Sequence, residues 1–153
     1  MKTPVLVLLG VTALIALPAS ADWSDGFDQY DLGTPLSGQG GWAGWDGGGM
    51  ATVISEDHAR YAGDYHAKLF TNDDAVQEFS GYTDGAWTLS GLQYLTEDLT
   101  GVTYFIVMNN YIVGGLKGWG AQIEMDLDAN TVRDADTDTG GVALVYDEWV
   151  EVK

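Results

Sequence analysis

Hydrophobic and polar positions along this chain change over short intervals, with glycine, aspartate and asparagine clusters between them. Strand-length segments follow one another: ATVISE at 51–56, YHAKLF at 65–70, AVQEFS at 75–80 and AWTLSGLQYL at 86–95. In the last of these Trp87 and Leu89 oppose Thr88 and Ser90. GVTYFIVMN at 101–109 is almost continuously apolar, which predicts a central strand covered on both faces. AQIEMDL at 121–127 alternates cleanly, placing Ile123, Met125 and Leu127 on one face, and GGVALVY and EWVEVK close the series. Helical periodicity is confined to 56–63, where Gly63 ends it. Many short strands separated by turn residues predict an all-β fold, an antiparallel β-sandwich.

The amino terminus follows a different pattern. Lys2 precedes an apolar run at 5–17, and Ala19, Ser20 and Ala21 supply small residues at the spacing of a cleavage site. The run is shorter than the ~20 apolar residues that span a bilayer. It reads as a signal peptide over 1–21, leaving 22–153 as one exported domain, secreted, periplasmic or at the cell surface. Cysteine is absent, so stability must come from packing, and export without disulfides points to a bacterial source. The formal charge of −17 repels nucleic acid and anionic lipid. Neutral ligands and cations remain, and no membrane insertion is expected once the signal is cleaved.

Four segments taken together carry a resemblance: GFDQYDLGTPLSGQGGWAGWD at 26–46, DAVQEFSGYTDGAWTLSGLQYL at 74–95, TYFIVMNNYIVGG at 103–115 and LVYDEWVEVK at 144–153. The chain resembles secreted bacterial jelly-roll domains of the concanavalin A-like lectin/glucanase superfamily, of the LamG-like type. The resemblance implies two facing antiparallel sheets and, most often, carbohydrate or cell-surface binding. It also implies further strands beyond a WVEV segment. The alternation of 148–153 stops at Lys153 without a turn or cap, so a C-terminally truncated sandwich is expected.

Candidate chemistry concentrates in few places. GQGGWAGWDGGG at 38–49 sets Trp42, Trp45 and Asp46 among seven glycines. Indole faces stack on the C–H faces of sugar rings, and Asp46 can accept hydroxyl hydrogen bonds. The plainer and preferred reading tucks one or both indoles inward to anchor a glycine-rich loop. Tyr111 and Trp119, flanking IVGGLKGWG, form a second aromatic candidate of the same kind. The leading expectation is a carbohydrate- or cell-surface-binding module without catalytic activity, its partner a neutral glycan or cell-surface polysaccharide.

EMDLD places Glu124, Asp126 and Asp128 at alternate positions on one strand face. Retaining glucanases of the resembled superfamily carry Glu-x-Asp-x-Glu on a strand, with the first Glu as nucleophile and the last as acid/base. The alternative function is therefore a glycoside hydrolase using Glu124 and Asp128, although Asp128 is one methylene short. The plainer reading turns these carboxylates to water while Ile123, Met125 and Leu127 face the core, with DANT turning the hairpin. A structural or adhesive surface domain is the third reading. DADTDTGG spaces Asp134, Asp136 and Asp138 like calcium ligands, yet Thr139 stands at the sixth loop position and Val145 at the twelfth. A solvated acidic turn is preferred, with calcium as the one conceivable cofactor. His58 and His66 lack zinc-site spacing and read as half-exposed strand residues.

Overall fold

The computed structural model describes residues 23–58, 63–82 and 85–153. The expected signal segment, its cleavage site and half of the helix-compatible stretch lie outside the described residues. Among the described residues ten strands are present: β1 (Trp42–Gly44), β2 (Val53–Ser55), β3 (His66–Lys68), β4 (Ala75–Gln77), β5 (Gly91–Tyr94), β6 (Val102–Tyr111), β7 (Lys117–Asp126), β8 (Thr131–Asp134), β9 (Thr139–Ala143) and β10 (Trp149–Val152). Every pairing is antiparallel, and no α-helix occurs among the described residues. The chain is all-β.

The largest sheet has the order β6-β7-β8-β9, a meander made of consecutive hairpins. Its turns are built from acidic side chains that satisfy local amides. Asp126 Oδ1 accepts the Ala129 N–H at 2.9 Å, and Asp134 Oδ1 accepts the Asp136 N–H at 2.9 Å. Three two-stranded sheets, β1-β4, β2-β3 and β5-β10, complete the set.

Cross-strand register places Phe105 beside Ile123, Met125 beside Val132, and Val132 beside Val142 on one face of the meander. Leu95 and, from β10, Val150 and Val152 line the same cleft of about 390 Å³ as Ile123, Met125 and Val142. A second apolar cleft of about 420 Å³ lies between Trp87, Leu89, Phe105 and Val107. Elsewhere, Leu36 and Ile54 are fully buried where residues 33–36 run along β2. The Leu36 N–H donates to Thr52 O at 3.0 Å, and the Ile54 N–H to Thr34 O at 3.0 Å. Thr52 and Ala51 both donate to the Asp73 carboxylate, which ties β2 to the turn before β4.

Two expectations are corrected, and two strands appear that the pattern did not mark. β6 is an edge strand, with Val102, Tyr104 and Val107 exposed, because its hairpin gives it one partner among the described residues, β7. An apolar run marks strand-forming side chains but does not say how many neighbours flank them. Residues 86–90 are irregular, so only the second half of the 86–95 segment pairs. β1 and β8 were hidden, β1 by its glycines and β8 by its placement between two acidic turns.

Candidate functional site

Tyr111 ends β6 and Trp119 lies near the start of β7, on either side of the hairpin tip at 112–116. The ladder is irregular here, with register shifts after Val107 and Met108, and Met108 faces Trp119. Glycine on both sides of Trp119 allows this. A side chain at Gly118 would collide with Asn109, and one at Gly120 would sit 3.0 Å from the Val107 carbonyl oxygen.

Trp45 and Asp46 reach this hairpin from a single 3₁₀ turn after β1. Asp46 has φ 52°, a left-handed conformation that aspartate tolerates better than most side chains. Its N–H donates to Tyr111 Oη at 2.7 Å. Its Oδ1 accepts the Gly114 N–H at 2.8 Å and Lys117 Nζ at 2.6 Å. Lys117 also donates to Ile112 O at 2.6 Å and Gly115 O at 3.3 Å. Its ammonium lies 4.7 Å from the Tyr111 ring centroid and 5.2 Å from that of Trp45. The hydrogen bond from Lys117, then that from Gly114, holds the Asp46 carboxyl below its ordinary range.

On this base two indoles stack. Trp45 and Trp119 have centroids 5.9 Å apart at 15°, while Tyr111 meets Trp45 edge-on at 5.3 Å. Trp119 keeps 47% of its surface exposed, backed by Trp45. Four of the five binding candidates, Trp45, Asp46, Tyr111 and Trp119, therefore meet at one place. Lys117, which binds Asp46 and lies against the Tyr111 and Trp45 rings, is not marked in the sequence, because a lone lysine carries no motif.

Trp42 is elsewhere. Its ring packs on Phe27 at 5.8 Å and Trp23 at 6.1 Å, and its Nε1–H donates to Asp25 Oδ2 at 2.8 Å. Tyr30, the Phe27 N–H and Gln29 also donate to Asp25. Burial alone would raise the Asp25 pKa, but these hydrogen bonds, that of Trp42 first, outweigh it and leave the group lowered. A depressed folded-state pKa stabilises the fold above the unfolded value of about 3.9 and loses that contribution as pH falls below it. Asp25→Asn is therefore expected to flatten the acid limb of a pH-melting curve. An unchanged acid limb in the variant would deny Asp25 this role. Trp23, Phe79, Tyr82 and Trp87 continue the ring contacts, a cluster the strand pattern did not reveal.

The carboxylate candidates do not share one solvent-facing surface. Glu124 is buried, contrary to expectation, because the register sets it directly between Tyr104 and Arg133. Arg133 donates to Oε1 through Nε at 2.7 Å and Nη2 at 2.6 Å, and Tyr104 donates to Oε2 at 3.0 Å. Partial desolvation of its hydroxyl, then the hydrogen bond to Glu124, raises the Tyr104 pKa, although the ring itself stays exposed. Asp126 caps its turn, and Asp128, beyond the end of β7, accepts the Gly101 N–H at 3.1 Å. Around 134–141, Asp136 binds Gln122 and Asp138 binds Arg133, while Asp134 holds its own turn, so the three carboxylates have separate partners. Among the described residues no three or more His, Asp or Glu side chains gather as a metal-binding group.

The histidines also differ from expectation. His66 opens β3 but is buried, and His58 follows β2 outside any strand. Both approach Asp57 Oδ1, at 3.0 Å for His66 and 3.9 Å for His58. Only the antiparallel pairing Ser55↔His66 brings them together. No protein-family model, curated protein or solved structure matches this chain.

Proposed function

We propose that the chain is an exported module that binds a neutral glycan or cell-surface polysaccharide without catalysis, on a jelly-roll sandwich of the concanavalin A-like kind. The stacked Trp45–Trp119 pair carries this reading. A flat, half-exposed indole backed by a second indole suits the C–H face of a pyranose ring. Asp46 lies beside this pair, its carboxylate fixed in place by Lys117 and the Gly114 N–H, where it can accept a sugar hydroxyl. The −17 charge favours an uncharged partner. The hydrolase alternative is less favoured, because Glu124 is buried and its carboxylate is paired with Arg133 and Tyr104.

A glycan array followed by titration calorimetry on the best ligand tests the reading. Trp119→Ala should weaken binding about tenfold, the loss expected for one aromatic stacking contact. Trp42→Phe should leave affinity unchanged. Binding that is indifferent to Trp119, or no glycan bound at all, would sink the proposal. Release of reducing sugar that Glu124→Gln abolishes would establish the hydrolase instead.

A further inference from the structure

The seam between β2-β3 and β5-β10 is made of aromatic rings around one carboxylate. His58 stacks on Tyr94 of β5 at 4.6 Å and 24°, and His66 meets Trp149 of β10 edge-on at 5.6 Å. The two imidazoles are 6.2 Å apart, and Tyr94 and Trp149 touch each other at 5.5 Å. Asp57 binds Lys68, Ser55 and His66. Around His66 the charged or titratable groups among the described residues are Asp57, His58 and Lys68 from its own sheet and connection. From β5 comes the Tyr94 phenol, and from β10 the uncharged Trp149 indole.

The hydrogen-bond pattern fixes the state of His66. An ionised carboxylate only accepts, so the Asp57 contact requires Nε2–H, and neutral His66 then carries its lone pair on Nδ1. Nδ1 is buried and has no partner among the described residues. A proton added there would be a buried N–H without an acceptor. It would also add positive charge to a seam where Lys68 already balances Asp57.

We propose that this cluster is an acid-sensitive latch: protonation of His66 parts β2-β3 from β5-β10. Burial above all lowers the His66 pKa, outweighing the opposing pull of Asp57. The unfolded imidazole takes its proton near pH 6.5. The unfolded chain therefore binds more protons below that value, and stability falls as pH drops through 6.5 toward the lower folded pKa. Asp57 stays ionised throughout, because Lys68 holds its carboxyl far below the usual range. His58 supports the latch less, since it is half-exposed and its ring lies flat on Tyr94 instead of inside the seam.

The chain has only two histidines, so no other side chain ordinarily titrates between pH 7 and 5.5. Melting of the full chain should lose about 4 °C between pH 7.5 and 5.5. His66→Phe, which keeps a ring against Trp149 but cannot be charged, should abolish that loss, whereas His58→Phe should leave most of it. A loss that persists in His66→Phe overturns the latch, as does the absence of any loss in the parent chain. Should His66→Phe fail to fold, proton NMR of the parent chain decides. The His66 C2–H should titrate below pH 6.5, with the Trp149 indole resonance moving at the same midpoint. Titration at or above 6.5, or an unmoved Trp149, would overturn it.

Discussion

Ile54→Ala is expected to destabilise the chain by about 3 kcal/mol and to lower its melting temperature by about 10 °C. Ile54 is 1% exposed at the centre of β2. The backbone on both sides of it is committed, to Gly33 and Thr34 on one edge and to β3 on the other. Its neighbour across the β2-β3 ladder is Ala67, too small to fill the space a shorter side chain would leave. Among the described residues Leu36, Ile54, Leu95 and Met125 are the buried hydrophobic side chains, so each carries a large share of the core. Urea unfolding provides the measurement, with Val142→Ala, 65% exposed, as a control expected within about 0.5 kcal/mol of the parent. An Ile54→Ala protein within 1 kcal/mol of the parent would show that the site collapses around the gap.

Lys117→Met should cost less stability but more function. Methionine keeps an unbranched stem between Trp45 and Tyr111 while removing the ammonium. The hydrogen bonds to the Ile112 and Gly115 carbonyls and the two ring contacts are lost, together about 2 kcal/mol. The proposed glycan affinity should fall at least tenfold, because the ammonium is what ties Asp46 and the Trp45 turn to the hairpin tip. Trp45 would then no longer be held under Trp119. Asp46→Asn, which keeps an oxygen for the Gly114 N–H, should have a smaller effect on both. Thermal melting and ligand titration on the same preparations separate the two consequences. Parent-like stability together with parent-like binding in Lys117→Met would remove the lysine from the site.

Local chemistry by itself determined the β character of this chain. Side-chain alternation and turn residues act over two to six positions, and they located β2 to β7, β9 and β10 to within a few residues. The same reasoning picked out Trp45, Asp46, Tyr111 and Trp119 singly, as large aromatics and a carboxylate beside glycines. It could not join them, because Asp46 and Tyr111 are far apart in the chain and meet only through the 3₁₀ turn and the β6-β7 hairpin. Trp42 and Trp45 make the same point. Three residues apart in one glycine-rich stretch, they go to different places: β1 pairing holds Trp42 against Asp25, while the turn at Asp46 swings Trp45 to Trp119.

Tertiary structure likewise decided the fate of charge. Alternation places Glu124, Asp126 and Asp128 alike, yet Tyr104 and Arg133 on neighbouring strands bury and satisfy only the first. Asp57, His58 and His66 carry no motif, and their cluster exists through the β2-β3 register and the approach of Tyr94 and Trp149. Periodicity reports which way a side chain points from its own strand. Burial, ion pairing and the protonation of an imidazole depend on what the facing strands bring, and that information is held in register and packing.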